Sequence, residues 1–212
     1  MARPHRPTNR RPLPAGEEEA SSAPRIIGGE LRGRSLEFTP AARTRPMKDR
    51  VRESLFNLIG VDVRGRVAID LFAGTGALGF EAVSRGAARA VLAERHFPTA
   101  DVLRRSARSL GLEDRVEVRP GDVLLWAKRL PPLPAELPWL VFVSPPWSFF
   151  AERWGELGAL IESFMRAAPA GSTVVVEADT AFDAAALPEA GAWETREIPP
   201  AVLHFWRVPP AS

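Results

Sequence analysis

The stretch from residue 67 to residue 79 constrains this chain more than any other. Val67, Ala68 and Ile69 form an apolar run, Asp70 follows, and Gly74, Thr75 and Gly76 make a turn before Ala77, Leu78 and Gly79. That order predicts a β-strand stopping at a tight turn from which a helix departs. Gly74, Gly76 and Gly79 satisfy the G-x-G-x-x-G pattern of nucleotide-binding α/β folds. Glycine is expected there because a side chain would hold the backbone away from a ligand. A second apolar run, 91–94, ends in Glu94, 20 residues beyond Gly74. Such folds place a ribose-binding acid at that separation, so the spacing supports a cofactor carrying a ribose.

Beyond this stretch the chain alternates between strand and helix patterns. The expected strands are 67–71, 91–94, 116–119, 140–144 and 173–177, and the expected helices 76–85, 98–110, 123–129 and 150–167. Two further extended runs, 193–198 and 202–208, flank Pro199 and Pro200 and read as an antiparallel pair. The pattern predicts an α/β, Rossmann-like fold: a mostly parallel seven-stranded sheet with helices on both faces. Ahead of it, Gly28 and Gly29 predict a small β-hairpin over 25–38. A loop over 40–46 then leads to a helix starting at Lys48 or Asp49. Its apolar face is Val51, Leu55, Phe56, Leu58 and Ile59, and Gly60 closes it. Residues 1–24 hold almost no large apolar side chain and are expected to be a disordered basic tail. The expected organisation is therefore the tail 1–24, a hairpin and helix over 25–66, and an α/β cofactor-binding domain over 67–212.

Charge is unevenly distributed. Residues 1–66 carry 14 Lys/Arg against 8 Asp/Glu, a net of +6, and the remainder carries 14 against 18, a net of −4. A basic segment beside a cofactor domain suggests a polyanionic substrate, because neutralising phosphates supplies much of the affinity for nucleic acid. The candidate contacts are Arg32 and Arg34 around Gly33, Arg43 and Arg45 in the loop, and Lys48 and Arg52 on one exposed helix face. The alternative is that arginine is simply abundant. The chain has no cysteine, which excludes disulfides and thiolate chemistry, and no apolar run of the ~18 residues a membrane span requires. The N-terminus lacks the apolar segment of a secretory signal, so a cytoplasmic protein is expected. Three histidines without cysteine offer no metal-ligand set.

Ser144, Pro145, Pro146 and Trp147 follow the strand pattern of 140–143, at the sheet edge where open α/β folds bind ligands. Two prolines remove two donors and leave carbonyl acceptors. An acceptor-rich elbow beside an aromatic face suits a flat heterocycle with an exocyclic amine. A rigid turn with a packing tryptophan is the competing reading.

Residues 70–76 resemble the S-adenosylmethionine-binding motif of class I methyltransferases. Ser144 to Trp147 resemble the motif of members that methylate exocyclic amines of nucleobases. Arg25, Ile26, Ile27, Gly28 and Gly29, then Gly33 and Arg34, then 45–57 and 76–85, are similar to the bacterial small-subunit (16S) ribosomal RNA guanine-N2 methyltransferases of the D type. The resemblance covers about residues 25–208. It implies methyl transfer from S-adenosyl-L-methionine to the exocyclic N2 amine of a guanine in small-subunit ribosomal RNA. The implied catalytic residues are Ser144, Pro145, Pro146 and Trp147. The implied cofactor-binding residues are Asp70, Phe72, Ala73, Gly74, Thr75 and Gly76 for the methionine end, Glu94 for the ribose and Asp122 for the adenine amine. The competing reading of Asp122 is the cap of a helix from Val123, and Glu81 reads as structural. A monomer acting on ribosomal RNA or the small subunit, without metal or membrane, is expected.

The chain departs from the family at Ser144, where aspartate is usual, and at Trp147, usually Phe or Tyr. His96 stands where a second carboxylate usually follows the ribose acid and is placed near the adenosine or at the surface. Two alternatives remain: a DNA cytosine-N4 or adenine-N6 methyltransferase, and a noncatalytic RNA-binding ribosome-assembly factor on this fold.

Overall fold

A computed structural model describes residues 23–39 and 47–210. The tail over 1–22 and the loop with Arg43 and Arg45 lie outside the described residues. One seven-stranded sheet runs through the molecule in the order β3-β2-β1-β4-β5-β7-β6. Its strands are β1 (Val67–Asp70), β2 (Arg89–Glu94), β3 (Val116–Pro120), β4 (Trp139–Val143), β5 (Thr173–Asp179), β6 (Glu194–Ile198) and β7 (Ala201–Arg207). The first five pair in parallel, and β7 runs antiparallel to β5 and β6. The order reverses between β1 and β4, leaving a crevice at their carboxyl ends.

Strand parity explains why both faces are covered. Ala68, Leu140, Phe142 and Val175 point to one side, into a cluster shared with Val51, Leu55, Phe56, Phe80 and Leu103. Those side chains come from α1 (Asp49–Ile59), α2 (Ala77–Ser84) and α3 (Phe97–Leu110). Ile69, Val141, Val143, Val174 and Val176 point to the other side, against Leu157, Leu160, Ile161 and Phe164 of α5 (Trp154–Ala167). Successive strand residues alternate faces, so a strand buried on both sides must be apolar throughout.

Several elements differ from expectation. The helix expected over 123–129 is a short 3-10 segment, Val123–Ala127. The helix expected over 150–167 is two, α4 (Ser148–Glu152) and α5, because Arg153 leaves the helical region at φ −135°, ψ 26°. There its side chain ion-pairs with Glu156 and lies over the Phe149 ring. The N-terminal hairpin reduces to one bridge, Arg25 to Ser35, with Ile26 N–H donating to Arg34 and Gly33 N–H to Ile26. Gly28 and Gly29 do not make a two-residue turn. They dock on the end of α2, where the Ser84 hydroxyl donates to the Gly28 carbonyl at 2.6 Å. Gly29 has φ +78°, and a Cβ on it would lie 1.9 Å from the Ser84 carbonyl oxygen.

Arg52 does not share an exposed face with Lys48: it is 1% exposed. Position 52 lies one and two turns below Phe56 and Ile59, inside the buried stripe of α1. Its Nη2 donates to the Arg25 carbonyl at 2.7 Å and to Asp49 at 2.9 Å. Its Nε lies 3.9 Å from Glu81, which is fully buried and also accepts from the Ile27 N–H and the Arg85 Nε–H. Arg52 is therefore a structural cation tying the N-terminal segment to α2, and it is withdrawn from the RNA-contact set. Leu58, also assigned to the apolar face, is 41% exposed.

Candidate active site

The crevice between β1 and β4 opens into a cavity of about 960 Å³. Asp70, Phe72, Ala73, Gly74, Thr75, Glu94, Asp122 and the elbow from Ser144 to Trp147 all line it. Residues as far apart in sequence as 70 and 147 meet here because parallel strands deliver their carboxyl ends to one edge.

On the β1 side the turn is held by the backbone, Ala73 N–H to the Ala93 carbonyl and Gly76 N–H to the Ala73 carbonyl. Glu94, at the end of β2, accepts from the Gly74 N–H at 2.9 Å and from the His96 N–H at 2.8 Å. Its carboxylate is thereby fixed at the rim with lone pairs to spare. Asp70 is 1% exposed, and neither of its oxygens has a partner in full hydrogen-bond geometry among the described residues. Burial pushes its carboxyl up to about 7, the nearby Gly79 and Phe72 backbone N–H groups offset this only in part, and the charges of Glu94 and Glu177 add to it.

The glycines divide their work differently from the expectation. Gly74 lines the cavity. Gly76 and Gly79 do not: a Cβ on Gly76 would meet Leu103 and Phe80 at 2.6 Å, and one on Gly79 would meet Leu92 at 2.1 Å. They permit α2 to approach the sheet and α3, so the placement of Gly76 against the cofactor is corrected to a packing role. Asp122 accepts from the Leu124 N–H at 3.0 Å, capping the 3-10 segment, while still lining the cavity. The same side chain thus meets both readings of that position. His96 is exposed at the rim, its Nδ1 within 2.8 Å of the Thr99 hydroxyl.

On the β4 side the two proline carbonyls are not equivalent. Pro146 accepts from the Phe149 N–H at the start of α4, which uses one of its two lone pairs, whereas no backbone donor meets the Pro145 carbonyl among the described residues; both prolines line the cavity. Trp147 is 37% exposed, one of the few large apolar side chains left open to solvent. Ser144 Oγ donates to a Glu177 carboxylate oxygen. Glu177, near the end of β5, is 8% exposed and lines the same cavity. Burial raises its pKa, and the Ser144 hydrogen bond opposes the rise. Sequence reading missed Glu177, although an apolar run ending in a carboxylate is the signal that exposed Asp70 and Glu94.

Among the nucleic-acid candidates, Arg32 and Arg34 are exposed on the turn of the N-terminal segment, and Arg34 Nη2 donates to the Ser109 carbonyl at 3.1 Å. Lys48 is exposed and lines the cavity mouth. No helix among the described residues is long and apolar enough to cross a membrane.

Comparison with known proteins places this geometry. Ribosomal RNA small subunit methyltransferase D of Escherichia coli K12 is 37% identical over 123 residues, which cover 58% of this chain and 60% of that protein. The Haemophilus influenzae protein of the same name is 35% identical over 128 residues, covering 59% and 64%. The chain thus spans about three fifths of the length of these relatives. Among solved structures, a hypothetical protein of Thermus thermophilus is 31% identical with a TM-score of 0.64, covering 87% of this chain and 99% of that one. The Thermus thermophilus 16S rRNA N2 G1207 methyltransferase, at 18% identity and TM-score 0.66 over 88% of this chain and 50% of that one, shares the fold. The architecture is the Rossmann-like fold of class I methyltransferases. A model of the family described as Conserved hypothetical protein 95 matches residues 24–197, nearly the whole of the described chain, and on that match the protein belongs to this family, which includes the D-type small-subunit ribosomal RNA methyltransferases.

Proposed function

We propose that this chain transfers a methyl group from S-adenosylmethionine to the exocyclic N2 amine of a guanine in small-subunit ribosomal RNA. The observation that carries the reading is Asp70, a buried carboxylate with no side-chain partner among the described residues, in the cavity that the elbow Ser144 to Trp147 also lines. An unpaired buried carboxylate calls for a cationic ligand, and the ammonium and sulfonium of S-adenosylmethionine supply one. Glu94 accepts from the ribose hydroxyls and Asp122 from the adenine amine in this reading, which both residues' position on the cavity lining supports. A cavity of about 960 Å³ has room for a nucleoside donor and a flipped base together.

When bound, S-adenosylmethionine supplies an already activated methyl group, so the protein's contribution is chiefly position. The Pro145 carbonyl and Ser144 Oγ accept the two N–H groups of the amine, which turns the nitrogen lone pair toward the donor. Trp147 stacks on the base and holds it outside the RNA helix. Arg32, Arg34 and Lys48 meet phosphates around the target. The names of the similar relatives support ribosomal RNA as the substrate class.

The test is to incubate the protein with methyl-labelled S-adenosylmethionine and, separately, small ribosomal subunits, free 16S RNA and DNA, then to identify the modified nucleoside. N2-methylguanosine from the subunit or its RNA is the expected product. N4-methylcytosine or N6-methyladenine in DNA, or donor binding without transfer to any substrate, overturns the reading.

A further inference from the structure

The proposed reaction leaves one chemical requirement unassigned. When the exocyclic nitrogen gains a methyl group it becomes cationic and must release a proton, and a serine hydroxyl cannot retain one. Position 144 itself carries no carboxylate, yet one stands beside it. Val143 of β4 pairs with Val176 of β5, so Ser144 and Glu177 stand side by side on adjacent parallel strands. Both fall on the sheet face of Phe142 and Val175, the face that carries Asp70 at the end of β1. Ser144 gives its hydroxyl proton to Glu177, so its oxygen lone pairs remain for an N–H arriving from the cavity.

We propose that Glu177 is a positioning residue that acts through Ser144: it holds the serine as an acceptor for the substrate amine and takes up the proton the amine releases. The inference rests on the reading of the protein as an exocyclic-amine methyltransferase. In the step, the nitrogen lone pair forms the N–C bond, the C–S bond breaks and its electron pair stays on sulfur. The N–H proton passes to Ser144 Oγ as the serine's own proton passes to Glu177, whose carboxylate ends neutral and later returns the proton to water. Nothing else is needed to balance it.

A purely structural role for Glu177 fits the surroundings less well. Among the described residues it makes no salt bridge, and Ser144 is the only side chain hydrogen-bonded to it. Glu81, also buried, behaves differently: it is neutralised by Arg85 with Arg52 close by, and accepts from a backbone N–H. A buried carboxylate without a counter-ion is costly to retain unless the site uses it. Asp70 serves the donor end, and Glu177 is separated from it by β4 in the sheet order, on the side of the elbow.

The experiment measures single-turnover methyl transfer, the S-adenosylmethionine dissociation constant by calorimetry, and RNA affinity, for the wild type and for Glu177→Gln, Glu177→Asp, Ser144→Ala and the double variant Ser144→Asp/Glu177→Gln. Glu177→Gln should slow transfer by about 10²- to 10³-fold, the range of a lost proton acceptor, with both affinities within about threefold of wild type. Glu177→Asp should retain more rate than Glu177→Gln, and placing a carboxylate at 144 in the double variant should restore at least about tenfold. A Glu177→Gln rate near wild type, a loss that follows donor affinity alone, or no recovery in the double variant overturns the assignment. If Glu177→Gln does not fold, Glu177→Asp decides it: withdrawing the carboxylate from Ser144 should slow transfer with donor and RNA affinities kept, and a rate equal to wild type overturns the assignment. A wild type that transfers no methyl group fails the proposed function itself, and the inference falls with it; an active wild type with an unaffected Glu177→Gln sinks the inference alone.

Discussion

Replacing Asp70 with asparagine should make the empty protein more stable and the same protein unable to hold its donor. The wild-type carboxyl titrates near 7 in the folded chain against an ordinary value of 3.8, because burial penalises the charged form. Between those values the folded state binds a proton that the unfolded state has lost. The carboxyl therefore contributes most to stability below pH 3.8, and the contribution disappears as pH rises through 7. At about 1.36 kcal/mol per pH unit the full span is worth about 4 kcal/mol, and the part between pH 5 and pH 8 roughly 2 to 3 kcal/mol. Asparagine does not titrate, so the stability of Asp70→Asn relative to wild type should grow by roughly 2 to 3 kcal/mol from pH 5 to pH 8. In a chain of this size that is roughly 5–10 °C in Tm. Urea unfolding of both proteins at the two pH values, without ligand, reads it directly. A cationic donor favours the ionised carboxylate, so S-adenosylmethionine should stabilise the wild type more strongly at pH 8 than at pH 5 and should barely stabilise the variant. If the relative stability of Asp70→Asn is the same at both pH values, or the variant binds donor as the wild type does, the buried, unpaired carboxylate is not what sets the chemistry of this pocket.

The remaining predictions concern the other walls of the site. Glu81→Ala removes the buried acceptor of Arg85 and the Ile27 N–H and leaves Arg52 with less compensation, so it should destabilise by about 3–5 kcal/mol in urea titration; a loss under about 1 kcal/mol would mean that this network does not anchor the N-terminal segment. Trp147→Ala should abolish detectable methyl transfer while calorimetry shows donor affinity largely kept; equal loss of both would move Trp147 from the base to the donor. Combined replacement of Arg32, Arg34 and Lys48 by alanine should weaken RNA binding and flatten its dependence on log salt by about 2 to 3. An unchanged slope would remove these cations from the RNA interface.

Much of this molecule could be read from local sequence. The apolar runs that became β1, β2, β4 and β5 were visible because strands buried on both faces carry no polar alternation, and the turn at Gly74 was visible because its glycines sit at fixed offsets from a strand end. Asp70, Glu94, Asp122 and the elbow at Ser144 were legible for the same reason: each ends a strand or opens the segment after it, and in an open parallel sheet such positions share one edge. The order of elements along the chain thus carried both the fold class and most of the pocket.

What the sequence by itself could not determine depends on which residue faces which neighbour. Arg52 reads as an exposed cation until α1 packs on α2 and brings Glu81 to it from 29 residues away. Gly76 and Gly79 read as ligand-facing until Leu103, Phe80 and Leu92 occupy the space beside them. Ser144 reads as a weakened aspartate until the register of β4 on β5 sets Glu177 against it, 33 residues on. Periodicity and motif spacing report contacts within one element or across one turn, whereas charge compensation and side-chain register arise only when strands and helices distant in the chain are packed together.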